Sequence, residues 1–359
     1  MSDVKGEVKG SLRVPQTRVT STDVAKAAGV SQSVVSRAFT VGGKVSAKTR
    51  ARVLLVAAQL GYQPNAMARG LVTQRSNLVG VVVGDSANPF YSQVLTRFSE
   101  ELQVLGKQVL LLTTGDAEHA LLLALQYRVE AIIITTAALS SPVAAAFAGS
   151  GVPVVFFNRY AEQPGSWAVS CDNVGGGRTV AEVLLGAGHQ RFAFIGGKPD
   201  TSTNQDRREG FRVRLREAGV DLELSVEKEY TYEWGYHAAR YLPGVGSGFT
   251  LGPAIDAVFC ANDIVALGVL DALRESGRRV PEDVAVVGFD DIPAASWRGY
   301  ALTTVAQPVE GMIGATLELL SRYGSNDPDT DPSAEGVVLL PGPFVERATT
   351  RPRVLAGAG

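Results

Sequence analysis

Residues able to hold a small polar molecule follow directly on several short apolar runs of this chain. Asp85, Asn88, Phe90 and Tyr91 come after LVGVVVG, Asn158 and Arg159 after VPVVFF, Asn262 and Asp263 after DAVFC, and Asp290 after VAVVGF. Arg207 lies beyond RFAFIG, just before Gly210 and Phe211, and Tyr230 follows an expected edge strand. Carboxylates, amides and guanidinium groups make paired hydrogen bonds to vicinal hydroxyls. Aromatic rings cover the apolar C–H face of such a molecule. The set therefore suits a polyol. Each residue also has a plainer use: Asn88 and Asp263 as helix caps, Phe90 and Tyr91 as core, Arg159 and Asp290 as an ion pair with each other.

The same scan finds no catalytic constellation. GVGSGF (244–249) misses the spacing of a nucleophile elbow, no GxxxxGK[ST] occurs, and GGGR (175–178) lacks the rest of a dinucleotide fingerprint. Close helix packing explains those glycines better. His119, His189 and His237 stand alone, without metal-ligand spacing. No catalytic residue, metal or cofactor is expected, and the chain reads as a non-enzyme.

A second chemistry is written near the N-terminus. Residues 1–75 carry 12 Lys/Arg against 3 Asp/Glu, a net of +9, and the remainder carries 22 against 33, a net of −11. A basic head on an acidic body suits a polyanion. Within TSTDVAKAAGVSQSVVSRAFT, Val24, Ala25 and Ala28 give one helix an apolar face, with Thr22 or Ser21 as its cap. Gly29 allows a sharp turn. Ser31 opens a second helix carrying Val34, Val35 and Ala38, and Val53, Leu54, Ala57 and Leu60 mark a third. This is the pattern of a helix-turn-helix. Gln32, Ser33 and Arg37 occupy the outward face of its second helix, where they would meet base edges in a major groove. Thr20, Thr22, Ser31 and Ser36 suit phosphate contacts, which position the head without reading sequence. Pro64 breaks the chain after the third helix, opens a linker at 64–76 and can start a new short helix at Asn65.

The rest of the chain must hold the first set of residues together. From residue 77 β-branched runs recur at 78–84, 108–113, 130–135, 153–157, 191–196, 256–260 and 284–289, each followed by a helix-like segment. Strands apolar throughout, alternating with helices, imply parallel sheets covered on both faces. Ligands of such sheets sit beyond the carboxyl ends of the strands.

Cys171 and Cys260 lie in apolar, strand-like surroundings and read as buried free thiols in a reducing compartment. The first 18 residues are polar, without the apolar core of a secretory signal. No apolar run reaches the roughly 18–20 residues needed to span a bilayer. A cytoplasmic location without a membrane partner is expected.

The ordered motifs AAGVSQSVVSR, VSAKTRARV, LGYQPNAMARGL, VGVVVGDSANPFY, CDNVGGGR, GHQRFAFIGG, DAVFCANDIVALGVLDAL and VPEDVAVVGFDDI resemble the LacI/GalR family of bacterial transcription regulators over nearly the whole chain. The resemblance implies an α/β fold: a three-helix head and a periplasmic-binding-protein-like core of two doubly wound subdomains crossed three times by the chain. The expected layout is a flexible arm at 1–18, the head at 19–63 and a hinge at 64–76. The first subdomain then takes 77–172 and 304–336, and the second takes 173–303 and 337–359. LTTVAQPVEGMIGATLELL is thereby placed on the first subdomain and the strand near GVVLLP on the second.

In the family Gln32, Ser33 and Arg37 match base-reading positions, and the effector candidates match ligand-facing ones, least securely at Tyr230. Leu71 matches a minor-groove wedge on a hinge helix, with Ala68 one turn before it. Gly70 stands where the family usually has serine, and Asn158 where sugar-binding relatives often have aspartate. The implied function is sequence-specific DNA binding, as a repressor, with affinity for a palindromic operator set by a sugar or sugar derivative bound between the subdomains. Whether the effector releases or strengthens DNA binding stays open. The implied assembly is a homodimer, since no leucine heptad follows the polar loop 325–336. The alternatives are a solute-binding protein or an enzyme on the same fold, without DNA binding.

Overall fold

The computed structural model describes residues 19–40, 42–64, 76–84, 88–113, 117–135, 151–160, 167–243, 254–324 and 336–352. The chain divides into two units, residues 1–76 and 77–359. Asn65, Ala68, Gly70, Leu71 and Asp85 lie outside the described residues.

In the first unit, α1 (Ser21–Ala28), α2 (Gln32–Ala38) and α3 (Ala47–Leu60) enclose a small core of Val24, Ala25, Ala28, Val35, Ala38, Val53 and Ala57. Gly29 closes α1 at φ 63°, a left-handed conformation that costs glycine little. The cap of α1 differs from expectation. Thr20 is the N-cap, its hydroxyl accepting from Asp23 N and donating to the Asp23 carboxylate, while Ser21 and Thr22 are already inside the helix. That reciprocal box uses the acidic residue three positions on, which Ser21 and Thr22 lack. Leu54 and Leu60, expected in the core, are 41% and 38% exposed. The buried row of α3 runs through Val53 and Ala57, and Leu54 sits about 100° further round the helix.

Among the described residues the second unit holds two six-stranded sheets. The first runs β11-β5-β4-β3-β1-β2, all parallel: β1 Leu78–Val83, β2 Gln108–Thr113, β3 Ala131–Ile134, β4 Val154–Phe157, β5 Trp167–Cys171 and β11 Gly336–Leu340. The second runs β12-β10-β9-β8-β6-β7: β6 Phe192–Gly196, β7 Leu222–Glu227, β8 Ala257–Cys260, β9 Ala285–Asp290, β10 Thr303–Ala306 and β12 Phe344–Val345. Among the described strands only β12 is antiparallel to its neighbour. The helices that matter below are α4 (Pro89–Val104) after β1, α5 (Ala117–Gln126) after β2, and α6 (Asn173–Gly186) after β5. They continue with α7 (Ser202–Glu217) after β6, α8 (Tyr232–Ala238) after β7, α9 (Asp263–Glu275) after β8 and α10 (Val309–Gly324) after β10. Among the described residues no helix is long and apolar enough to cross a membrane.

Two placements correct the expected layout. The strand at 303–306 belongs to the second sheet beside β9, and the helix after it, α10, packs on β4, β5 and α4 of the first. The strand of GVVLLP lies in the first sheet beside β5, register Gly336 opposite Trp167, and only the two-residue β12 returns to the second. Neither β5 nor β10 is among the expected runs, although Cys171 at the end of β5 has strand-like surroundings: WAVSC is short and carries Ser170. Once present, β5 supplies the edge that β11 extends. The three crossings between the sheets run side by side near Gly342. A Cβ there would meet Ala306 O at 2.5 Å and Cys171 Sγ at 3.1 Å, so only glycine lets the strands approach. The glycines of GGGR have the packing role expected of them: a Cβ on Gly177 would strike the Arg207 carbonyl of α7. Cys171 and Cys260 are buried free thiols.

Candidate functional site

A cleft of about 220 Å³ lies between the carboxyl ends of the two sheets, lined from one side by Gly84, Asn88, Phe90, Tyr91, Thr135, Asn158 and Arg159 and from the other by Lys198, Asp200, Thr201, Thr203, Arg207, Tyr230, Asn262 and Asp290. This is space for several waters or one small molecule. Each β–α connection delivers residues where a strand stops and a helix has yet to start, which is why the site forms here.

Arg207 anchors the cleft. It is 2% exposed, although it is a guanidinium on α7. Nε donates to Asn173 Oδ1 at 2.8 Å, Nη1 donates to Ala261 O at 2.6 Å, and Nη2 lies 3.4 Å from Asp290 Oδ1. Its plane covers the Phe289 ring, 3.7 Å from the centroid. Gln307 Nε2 also donates to Asp290 Oδ1, at 2.6 Å. Both contacts of Asp290 thus fall on one oxygen, leaving Oδ2 for a ligand. The expected alternative partner, Arg159, is not paired with Asp290; it donates from Nη2 to Tyr91 Oη at 2.8 Å.

Burial pushes the Asp290 carboxyl up to about 6, against the opposing pull of Arg207 and Gln307. An unfolded aspartate titrates near 3.9. Between those values the native chain holds a proton that the unfolded chain has released, so this group's stabilisation is complete below about 4 and is lost as pH rises through about 6. Asp290→Asn removes the titration. The stability difference between wild type and this variant, from urea unfolding at about pH 4.5 and about pH 6.5, is therefore expected to shift against wild type at the higher pH. An unchanged difference would show that Asp290 is ionised throughout.

The plainer readings hold alongside the functional ones for several residues. Asn88 caps α4, its Oδ1 accepting from Phe90 N at 3.0 Å, and still faces the cleft. Phe90 and Tyr91 are core, 1% and 5% exposed, in edge-to-face contact, and line the cleft as well. Asn262 caps α9 through Oδ1 to Val265 N, which leaves its amide NH2 for the cleft. The Tyr230 hydroxyl is held by Thr201 at 2.8 Å and Thr203 at 3.1 Å.

Asp263 is the exception. It is fully buried, does not line the cleft, and accepts from Ile292 N at 2.9 Å and from the Thr304 hydroxyl at 2.6 Å. One position inside α9, its carboxylate turns back to tie the helix to the sheet; burial raises its pKa well above the usual range. Thr135, Lys198, Asp200, Thr201 and Thr203 line the cleft without being singled out by the sequence. The strand-end rule reaches all five once it is applied to every β–α loop.

In the head, Thr22, Ser31, Gln32, Ser33, Ser36 and Arg37 are all exposed. Arg37 folds back along α2, Nε donating to Ser33 O at 3.2 Å. Gln32 Nε2 donates to Ser21 Oγ at 2.8 Å, and Ser31 shares a hydrogen bond with Ser33 at 2.9 Å instead of capping α2. Thr20 is exposed too, but its hydroxyl is committed to Asp23, whose carboxylate would oppose a phosphate. Lys26, Lys44, Lys48 and Arg52 are exposed, whereas Arg50 holds the Ala38 and Gly43 carbonyls and is structural.

The family model for bacterial regulatory proteins of the lacI family matches residues 20–65, and that for a periplasmic binding protein-like domain matches 181–350. The HTH-type transcriptional regulator CelR of Thermobifida fusca is 36% identical over 302 residues, covering 80% of this chain and 87% of that protein. A lac repressor dimer bound to operator and the anti-inducer ONPF superposes with a TM-score of 0.80 at 28% identity, over 93% of this chain and 99% of that one. A CelR–cellobiose complex superposes with a TM-score of 0.67 at 32% identity, over 92% and 100%. With an exposed polar recognition helix, a polar cleft between two parallel sheets and these relatives, the chain belongs to the lacI family of bacterial transcription regulators.

Proposed function

We propose that this chain is a cytoplasmic, homodimeric repressor that reads a palindromic operator with α2 and changes its operator affinity when a sugar or sugar derivative fills the cleft. The observation that carries this reading is the cleft itself: a buried Arg207–Asp290 pair with Asp290 Oδ2 unused, bordered by Phe90 and Tyr91. Polar groups with spare valence beside aromatic faces suit a polyol, and the cellobiose complex of a 32% identical relative supports the same class. Gln32, Ser33 and Arg37 read bases in this proposal, and Thr22, Ser31 and Ser36 stay near phosphates, while Thr20 caps α1. Asn65, Ala68 and Leu71 engage DNA from the hinge, and Asp85 joins the cleft. The working divisions are the head at 19–63, the hinge at 64–76, a first subdomain of 77–172 with 309–340, and a second of 173–306 with 341–352. An effector that binds one arrangement of the subdomains better than another shifts the population by that difference and no more.

A mobility-shift titration on palindromic and scrambled duplexes at several salt concentrations tests it. Binding is expected to favour a palindrome, to weaken steeply with salt, and to respond to a sugar. Equal, sugar-insensitive binding to both duplexes would leave a non-specific DNA-binding protein.

A further inference from the structure

The two sheets are tied together by the crossings near Gly342, and one further residue ties them at a distance from those crossings. Tyr160 follows β4 of the first sheet, and α7 follows β6 of the second. The Tyr160 hydroxyl donates to Asp206 Oδ2 at 2.6 Å, and the Tyr160 backbone N–H donates to Ser202 Oγ at 3.3 Å. Ser202 and Asp206 stand one turn apart on α7, so one edge of that helix meets the same residue twice. Among the described residues these are the hydrogen bonds that join the two sheet-and-helix bodies away from the crossings, and both belong to Tyr160. The Tyr160 ring packs against the cluster of Val82, Ile134 and Phe156 in the first body. One body therefore fixes the ring while the other holds its hydroxyl. Asp206 is half-buried, and burial raises its carboxyl above the usual range against the pull of the Tyr160 hydroxyl. A carboxylate that has lost part of its water depends more on the donor that remains.

The place of this contact gives it a use. Arg159 immediately precedes Tyr160 and Arg207 immediately follows Asp206, and the two arginines line the cleft from opposite sides. The bond thus bridges the cleft at its edge. Opening the cleft about the crossings draws the end of β4 away from α7 and breaks both hydrogen bonds. We propose that Tyr160 is a clasp that holds the cleft shut beside Arg159 and Arg207, so that an effector enters and leaves while the bond to Asp206 is broken. This rests on the reading of the cleft as the effector site and adds what governs access to it. Tyr160→Phe keeps the packed ring and removes the bond to Asp206, and Asp206→Ala removes the same bond from the other side.

The test reads access to the cleft in the full-length protein, with neither effector nor DNA present. Thr135 lines the cleft at the end of β3 and is 1% exposed. Thr135→Cys places a thiol of similar size there, and its alkylation by iodoacetamide is followed by mass spectrometry. The buried native thiols Cys171 and Cys260 serve as internal standards. Adding Tyr160→Phe is expected to speed alkylation at position 135 by about tenfold, the lower end of what a hydrogen bond to a charged acceptor contributes. Cys171 and Cys260 are expected to stay as slow as before. Asp206→Ala is expected to give the same increase, and the two substitutions together no more than either alone. An unchanged rate in Tyr160→Phe overturns the clasp. So do increases from the two substitutions that multiply, since the residues would then act separately. Equal acceleration at Cys171 and Cys260 overturns it as well, because the whole core would have loosened. If Thr135→Cys fails to fold, Thr203→Cys on the opposite wall, 3% exposed, takes its place with the same expectations. Because the readout involves neither sugar nor operator, a protein that ignores both would lose the proposed function while the clasp stands or falls on alkylation alone.

Discussion

Arg207→Ala is expected to abolish the effector response while operator binding persists. The side chain makes two full hydrogen bonds, to Asn173 Oδ1 and Ala261 O, pairs with Asp290, and stacks on Phe289, all at 2% exposure. Truncating one member of a buried charged pair costs about 2–5 kcal/mol of binding, or roughly 30- to several-thousand-fold in affinity. The loss exceeds that of a single contact because Asp290 changes too. Burial already raises its carboxyl to about 6, and Arg207 is the largest influence holding it down. Without the guanidinium it takes up a proton nearer neutral pH, so the cleft loses both charges at once. These contacts of Arg207 all lie within residues 173–290. Effector titrations of the operator complex, with circular dichroism on the same sample, decide the matter. Asp290→Ala should repeat the result. If both variants still respond at wild-type effector levels, the ligand sits elsewhere. If Arg207→Ala unfolds while Asp290→Ala responds normally, the guanidinium is a structural strut and the site assignment falls.

How far the sequence carries these conclusions depends on the kind of signal. Continuous β-branched runs such as AIII and VVFF become strands because a buried parallel strand needs apolar residues on both faces. WAVSC escapes because its serine interrupts the run; Ser170 is nonetheless fully buried and accepts from Asn173 Nδ2, a tertiary contact invisible in local pattern. β11 pairs with β5, so GVVLLP lies in the first sheet and not in the second, where the resemblance placed it. The cleft is legible to the extent that strand ends are. Asn88, Arg159, Arg207, Asn262 and Asp290 follow from that rule, whereas Asp263 shows its limit. Adjacent residues at a helix start point in different directions, so Asn262 lines the cleft while Asp263 is drawn into the sheet by Thr304 and Ile292. Pairing across the fold is not legible at all: that Asp290 chooses Arg207 over Arg159 is settled by which β–α loops face each other.

Arg37→Ala is expected to weaken specific operator binding by about 1–3 kcal/mol, roughly 5- to 150-fold, with little change on random DNA. The side chain is exposed on α2, and its contacts within the head are local: Nε to the Ser33 carbonyl at 3.2 Å and Nη2 to the Ser33 hydroxyl at 3.5 Å. The second is at the outer limit of a hydrogen bond, so a guanine edge offering O6 and N7 replaces it with a bidentate pair at small cost. The head does not depend on it. Its core is Val24, Ala25, Ala28, Val35, Ala38, Val53 and Ala57, and the arginine that holds the turn after α2 is Arg50. The melting behaviour of the head should therefore be unchanged, which separates a reading role from a structural one. Salt dependence separates reading from mere charge. Removing a bond to phosphate reduces affinity for operator and random DNA alike and lowers the slope of log K against log salt by about one. Removing a bond to a base edge instead reduces the ratio between the two duplexes. Parallel salt titrations of wild type and Arg37→Ala on both duplexes therefore give one of two distinct patterns. Equal weakening on both, with a shallower slope, would place Arg37 on the backbone and leave Gln32 and Ser33 as the remaining base-reading candidates on α2.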